Sequence, residues 1–440
     1  MPGQHRWLSA GRGRAPRRNR NGGIFTEVIK LLNSVIGALF FLCFAYQFFY
    51  LAVPFFKKPR PHRETVYHNY AVLVSARNEE AVIGGLVKSV LAQNYPHDRL
   101  RVFVVADNCT DDTAAAARAA GATVFERADL IHVGKGYALD YLLGKLDELY
   151  GRDAFDGYLV FDADNLLDEN CVAEMNRCFC DGYGIVTGCR NSKNYGDNWI
   201  SAGYSLWFLR DSQFLNRSRM LLGTSSVVAG TGFLFSRAVL ERCGGWKFFL
   251  LSEDTEFTVR SVLDGEMIAY CERAVFYDEQ PTGLAQSCRQ RMRLARGYLQ
   301  VFGKYGRQML RGMCRGNFAC YDILMSTLPA IVLMLAALIV NTAGLLACLV
   351  RGESILPLVQ TALLGTTQGY LTFFFVGAVT TAAEWRSIHC PAGRKIRYLF
   401  TFPLFMLTYV PISVAAVFQK AEWRPIRHTV AVSVQDIRKI

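Results

Sequence analysis

Four long stretches of this chain carry no charged residue: Leu31 to Phe56, Ile323 to Val350, Ser354 to Ala383 and Tyr398 to Gln419. Each reaches the roughly 20 residues that an α-helix needs to cross a bilayer. A buried core helix seldom runs so far without a charge, so these stretches predict membrane helices and set the outer frame of the fold. The first is too long and too internal for a cleaved leader, and no small-residue cleavage site follows it. It reads as an anchor. The runs also explain why 51% of the 440 residues are hydrophobic, a high value for a soluble protein.

The net charge of +12 would suit nucleic acid if the cations formed one patch. They cluster instead beside the apolar runs: Lys57, Lys58, Arg60 and Arg63 after the first, and Arg386, Arg394, Lys395 and Arg397 before the last. That is the positive-inside pattern, which places both clusters in the cytosol and argues against a nucleic-acid partner. The thirteen cysteines include no CxxC pair. Cys178 and Cys180 are too isolated for a zinc site, and reduced thiols fit the pattern better.

The chain divides into a basic, disordered tail (1–23), a first membrane helix (24–56), a Pro-rich basic linker (57–69) and an α/β domain (70–280). Amphipathic interface helices (281–320), a membrane region of about three helices (321–419) and a C-terminal tail (420–440) complete it. Within the α/β domain, Ala71–Ser75, Arg101–Ala106, Ala122–Glu126 and Gly157–Phe161 read as short buried strands. Helical patterns at Glu80–Gln93, at Asp112–Ala120 and from Tyr137 alternate with them, which predicts a mainly parallel sheet. Ligands bind such sheets at the carboxyl ends of strands. From Gly283 to Lys304, apolar residues alternate with Arg289, Arg291, Arg293 and Arg296 at helical spacing, as in a helix lying on a membrane surface.

Acid-bearing turns fall where that rule points. Asp162-Ala163-Asp164 leaves a buried strand, and two carboxylates so placed can hold Mg²⁺ or Mn²⁺ against a diphosphate. Alone, Asp-x-Asp is a common surface turn. Asp107-Asn-Cys-Thr-Asp-Asp112 and Ala76-Arg-Asn-Glu-Glu80 also follow strands, and each alone would pass for a helix cap. Three such turns on one sheet edge are harder to explain by capping. Gly134-Lys135-Gly136 lacks the features of a Walker loop, yet its lysine would suit a diphosphate. Ser252-Glu253-Asp254 opens a predicted helix, where acids usually serve the helix dipole.

Taken in order, Asn78-Glu79, Asp107, Lys135, Asp162-x-Asp164, Gly230-Thr231-Gly232, Glu253-Asp254 and Gln290-x-x-Arg293 resemble the family 2 inverting glycosyltransferases. The membrane synthases of cellulose, mixed-linkage glucan, hyaluronan and chitin-like polymers are the nearest in pattern. The resemblance implies a GT-A fold, Rossmann-like and mainly parallel, beside transmembrane helices. It implies that Asn78, Glu79, Asp107 and Lys135 grip the uridine and diphosphate, that Asp162 faces the donor, and that Asp164 with Asp162 holds Mg²⁺ or Mn²⁺. Gly230, Thr231 and Gly232 would wall the acceptor side. Asp254, with Glu253 beside it, would supply the general base, and Gln290 and Arg293 would cover the diphosphate. One position departs from the pattern. Leu294 stands where relatives carry the tryptophan that floors the acceptor sugar, so acceptor register and processivity are the properties it touches. Tyr195, Trp199, Tyr204, Trp207 and Phe208 offer another sugar platform, or alternatively helix-core packing.

The leading expectation is a processive, exporting polysaccharide synthase of the plasma membrane, multi-pass and with a cytosolic catalytic domain. Its partners would be a UDP-sugar (UDP-glucose first, UDP-N-acetylglucosamine second), a growing glycan and the bilayer, with self-association left open. The alternatives are a transferase that adds one sugar to a lipid and a non-catalytic sugar-binding receptor. Four crossings are expected, which would put Trp423 to Arg427 outside. Pro403 and Pro411 would instead allow the last run to break into an interfacial or re-entrant segment.

Overall fold

A computed structural model describes residues 20–59, 61–419, 428, 430 and 432–438. Most of the basic tail, Arg60 and the stretch Trp423 to Arg427 lie outside the described residues. The first helix, α1 (Arg20–Phe56), starts inside the segment read as a tail. A Rossmann-like alternation follows: β1 (Tyr70–Ala76), α2 (Ile83–Leu91), β2 (Leu100–Asp107), α3 (Thr113–Ala119), β3 (Thr123–Arg127), α4 (Lys135–Tyr150) and β4 (Gly157–Asp162). Then come β5 (Leu166–Leu167), α5 (Cys171–Cys180), β6 (Ile185–Ser192), α6 (Trp199–Arg210), a π-helical turn (Asp211–Asn216) and α7 (Arg217–Leu222). The domain closes with β7 (Phe233–Ser236), α8 (Arg237–Arg242), α9 (Glu253–Leu263) and β8 (Ile268–Asp278).

The eight strands form one sheet in the order β3-β2-β1-β4-β7-β6-β8-β5. Its first four strands are parallel, β6 pairs parallel with β8, and β5 and β7 are antiparallel inserts. Both faces are covered, which is why the strands read as continuous apolar runs rather than alternating ones. Val72, Val74, Val104 and Phe161 pack towards α2, α3 and α5, while Leu73, Phe103, Val105 and Val160 pack towards α4 and Trp246. The chain reverses direction across the sheet between β1 and β4, and their carboxyl ends flank a ligand crevice. The architecture is thus a mixed, mainly parallel GT-A-like domain with several long apolar helices.

Helix α10 (Leu284–Cys314) runs ten residues past the amphipathic stretch that the sequence marks. It leads to α11 (Phe318–Arg351), α12 (Leu356–Ala383), α13 (Ala392–Leu407), α14 (Tyr409–Phe418) and a short α15 (Val434–Arg438). Among the described residues, four helical stretches are long and apolar enough to cross a membrane: Glu27–Phe56, Phe318–Arg351, Leu356–Ala383 and Ala392–Phe418. The last is broken at Thr408 between α13 and α14. Pro411 explains the break, because its ring excludes the carbonyl four residues back and it has no N–H to donate. Arg291 of α10 caps the exposed ends, with Nη1 2.7 Å from Thr408 Oγ1 and 3.3 Å from the Phe405 carbonyl. Of the apolar window in this last stretch 39% is buried in the protein, against 6–17% in the other three, so it packs on protein where they face outward.

A buried ion pair joins the α/β domain to the apolar helices. Arg219 of α7 donates twice to Asp322 of α11, Nε to Oδ2 and Nη2 to Oδ1, each at 2.8 Å. Tyr50 and Tyr46 of α1 donate to the same carboxylate at 2.8 and 2.9 Å. Further along the two helices, Asn33 and Asn341 exchange amide hydrogen bonds at 3.1 and 2.9 Å. Such polar pairs fix how apolar helices dock, since packing of methyls alone leaves register free. The ion pair's side chains are 4% and 1% exposed. Arg219→Met or Asp322→Leu alone is expected to cost about 3–5 kcal/mol by stranding a buried charge. The double variant should cost less than the two single losses together, as measured by thermal unfolding in detergent; additive losses would refute the coupling.

Candidate active site

The β1 and β4 ends deliver the first group of residues. Ser75 pairs with Asp162 in register, so the turn holding Asn78 and Glu79 sits beside the Asp162–Asp164 loop. Asn78 takes a left-handed backbone (φ 59°) and grips the neighbouring turn, its Oδ1 accepting from Thr110 N at 2.8 Å. Asp107, at the end of β2, is held by Arg127 Nη1 at 2.6 Å and is 3% exposed. An arginine of β3 thus fixes its carboxylate at the strand end. Glu79 is held by His428 Nδ1, 2.9–3.0 Å from its two oxygens. Burial raises the Glu79 carboxyl above its ordinary range, which His428 opposes. Burial alone would lower the imidazole, but Asp164 and Glu79 outweigh it and lift His428 to about 9.

The Asp-x-Asp loop is built rigidly. Asn165, fully buried, accepts from the Asp162 N–H at 3.1 Å and from the Thr231 hydroxyl, while Thr231 Oγ1 also accepts from Asp162 N at 2.9 Å. Asp164 is 5% exposed, and its Oδ2 accepts the Glu279 N–H at 2.8 Å. Lys135, the first residue of α4, donates to Asp162 Oδ1 and, at 2.7 Å, to the Gly230 carbonyl. Burial would depress this lysine, but Asp162 and then Glu253 outweigh that and hold it above its usual value. The donor set suits a hard divalent cation. Two carboxylates share one loop, and among the described residues no cluster of three or more His, Cys, Asp or Glu forms a full cage. Mg²⁺ and Mn²⁺ favour that arrangement, with substrate phosphate completing the shell.

The opposite wall comes from α9 and α10. Glu253 and Asp254 lie in the first turn of α9, where Asp254 Oδ1 accepts the Thr255 N–H at 2.7 Å. A Cβ added to Gly230 would lie 3.5 Å from Asp254 Oδ2, so the Gly230 turn and Asp254 face each other closely. Gly232 serves packing: its φ is 65°, and a Cβ there would strike the Phe276 ring at 2.0 Å. Burial raises the Asp254 carboxyl; the Thr255 N–H, Lys135 and Arg293 pull the other way. Burial and then the Asp254 charge push Glu253 up to about 7. Helix α10 reaches this wall because Gly297 lets it touch Ser252, where a Cβ would come within 2.0 Å of Oγ. Arg293, one turn earlier, thereby acts on both Glu253 and Asp254. The Gln290 side-chain Oε1 is buried without a hydrogen-bond partner among the described residues, and Leu294 is half-buried. Glu256, fully buried, ties the assembly by accepting from Phe249 and Leu250 N–H at 3.0 Å and from Lys304 at 2.5 Å.

Several residues at the site escape a motif reading. Arg190 of β6 donates Nε to Asp278 Oδ2 at 2.6 Å and Nη1 to the Ala229 carbonyl at 3.0 Å. Lys193 is 8% exposed beside Glu279 and Asp164, and burial lowers its ammonium. A charged residue at or near the carboxyl end of a strand was the available signal for Arg190 and Asp278. His428 left no local signal. Of the aromatic set, Tyr195 and Tyr204 are buried against Tyr398, Phe402 and Phe405, whereas Trp199, Trp207 and Phe208 stay half-exposed.

Residues 68–297 match a family model described as glycosyltransferase like family 2. The chain is 27% identical over 242 residues to the beta-monoglucosyldiacylglycerol synthase of Synechocystis sp., covering 55% of this chain and 50% of that protein. It is 24% identical over 237 residues to the poly-beta-1,6-N-acetyl-D-glucosamine synthase of Staphylococcus aureus, covering 52% and 54%. The match thus spans about half the length of these curated relatives. Among solved structures, the mannosyltransferase PcManGT from Pyrobaculum calidifontis, in complex with GDP-Man and Mn²⁺, aligns at a TM-score of 0.55. That alignment has 19% identity and covers 87% of this chain and 99% of that one, a likeness of fold.

With Glu253 held at about 7 against an ordinary 4.5, the folded chain binds this proton more tightly than the unfolded chain. Its stabilising contribution is complete below about 4.5 and is lost as pH rises through about 7. In carboxyl ¹³C spectra one glutamate resonance should titrate near 7 and vanish in Glu253→Gln; a midpoint in the ordinary carboxylate range contradicts this.

Proposed function

Since the chain belongs to glycosyltransferase-like family 2, we propose that it transfers a hexose from a UDP-sugar to an acceptor hydroxyl arriving from the membrane side, with inversion. The observation that carries the reading is Asp254. It is half-buried and lies against the Gly230 turn, whose carbonyl also receives Lys135, the partner of Asp162. A base and a leaving-group site on opposite sides are what a single displacement requires. The acceptor oxygen bonds to the anomeric carbon, its proton passes to Asp254, and the bond from that carbon to the diphosphate breaks. An α-linked donor then gives a β-linked product. Lys135, Asn78 and Glu79 orient the diphosphate and nucleoside, and Arg293 offsets the charge that develops on the leaving group. Asp162 and Asp164 would hold Mg²⁺ or Mn²⁺, which supplies Lewis-acid stabilisation of the departing diphosphate. The solved mannosyltransferase PcManGT, with Mn²⁺ and GDP-Man, supports a metal with the donor. UDP-glucose remains the first donor and UDP-N-acetylglucosamine the second, in keeping with the relatives' names.

For the acceptor, we favour addition of one sugar to a membrane-borne molecule. Leu294 gives no flat face for a terminal sugar, and the spans other than the last are only 6–17% buried, so they face outward rather than enclosing a tunnel. The processive reading draws its support from Gln290 and Arg293 on α10 and from the polymerising relative. We assign α1, α11 and α12 as three crossings, with α13 and α14 lying at the interface. His428 beside Glu79 supports a C-terminal segment on the catalytic side, in the cytosol at the plasma membrane.

Purified full-length chain in nanodiscs with Mn²⁺ should release UDP from one UDP-sugar, and chelation should abolish release. Asp254→Asn should slow turnover about 10²–10⁴-fold. Turnover equal to wild type in that variant would remove the base from the mechanism. Digestion of the product separates a single-sugar adduct from a polymer.

A further inference from the structure

The face between Asp254 and the apolar helices carries an arrangement that the transfer chemistry does not use. Arg190, anchored to the Ala229 carbonyl next to Gly230, lays its guanidinium 3.8 Å from the centre of the Phe208 ring. One residue earlier on α6, Trp207 lies 6.3 Å from Tyr409 of α14, ring centre to ring centre. Arg210 stacks on Trp207 at 4.6 Å and donates to Asp211 Oδ1 at 2.8 Å. Asp211 opens the π-helical turn, a rare local geometry that recurs at functional sites. Its side chain remains 33% exposed. Burial raises the Tyr298 phenol of α10, and the Asp254 and Asp211 charges add to that shift. Trp207, Phe208, Tyr298 and Tyr409 are all half-buried.

We infer that Trp207, Phe208 and Asp211 form the acceptor subsite and that it takes an uncharged, hydroxyl-bearing head, a glycerol or a sugar, and rejects a lipid phosphate. This rests on the glycosyl-transfer reading above and names its acceptor class. A carboxylate between aromatic rings accepts hydrogen bonds from hydroxyls while the rings cover C–H faces. A phosphate placed there would meet Asp211 and Asp254 and would need free cations. Of the arginines at hand, Arg190 bonds Asp278, Arg210 bonds Asp211 and Gln47, Arg296 bonds the Ala416 and Val417 carbonyls, and Arg293, whose charge acts on Glu253 and Asp254, is assigned above to the departing diphosphate. Arg291, 1% exposed, is enclosed by the Tyr204, Phe405 and Tyr409 rings.

The test uses the full chain in phosphatidylcholine nanodiscs with labelled UDP-sugar and Mn²⁺, offered dioleoylglycerol, octyl β-glucoside or undecaprenyl phosphate. Transfer to one of the neutral acceptors and none to the phosphate is expected, and which of the two is labelled tells glycerol from sugar. Asp211→Asn should raise the KM for that acceptor about tenfold, the loss of one charge-assisted hydrogen bond, with the KM for UDP-sugar within about twofold. Trp207→Phe should retain acceptor binding and Trp207→Ala should lose it, which keeps the test open if the Asp211 variant does not fold. Labelling of undecaprenyl phosphate alone, or an acceptor KM unmoved by both Asp211→Asn and Trp207→Ala, overturns the proposal while leaving glycosyl transfer standing. Absence of UDP release from every donor overturns both.

Discussion

The bidentate pair between Arg219 and Asp322 is the constraint from which the remaining geometry follows. An aspartate on an apolar helix is costly unless its lone pairs are filled, and this one receives an arginine and two tyrosines from different parts of the chain. Helices α1 and α11 are thereby held in one register, and α7 is fastened to both. Because α7 continues the π-helical turn and α6, the same pair fixes the height of Trp207 and Asp211 above the apolar region. The catalytic crevice is set by its neighbours as well as by its own sheet.

The crevice itself is a balance of charges that no single residue could hold. Acids come from four places: Asp162 and Asp164 at the end of β4, Glu253 and Asp254 at the start of α9, Asp278 and Glu279 at the end of β8, and Glu79 after β1. Lys135, Arg190, Arg293 and His428 are spaced among them. Each cation lies against carboxylates or backbone carbonyls, which is why Lys135 and Arg190 keep their protons despite burial. The carboxylates outnumber the cations, so the crevice is acidic before substrate arrives, and a divalent metal entering with the diphosphate would offset that excess.

Much of this was legible in the residues. The uncharged runs foretold the long helices, and the apolar runs of β1, β2 and β4 foretold a parallel sheet, because both signals come from burial on all sides and need no knowledge of partners. The rule that ligands sit at strand ends pointed to Asn78, Asp107 and Asp162. It could not show that Asp107 pairs with Arg127, which depends on how β2 meets β3. Gly232 looked like acceptor wall because it shares a motif with Gly230; only the position of Phe276 reveals its packing role. The break at Thr408 was readable from Pro411. The contact of His428 with Glu79 was not, since nothing local distinguishes that histidine.

That last contact has a consequence for the order in which the protein comes into being. Glu79 is synthesised 349 residues before the histidine that meets it, and α11 and α12 lie between them. Contacts so distant in sequence form late, after their loop-closure entropy has been met. A nascent chain can therefore complete the β1–β4 half of its sheet on the ribosome while this corner of the crevice stays open. The corner is finished only once α11 and α12 have been made, so the mature set of charges first exists when the long apolar helices are already present.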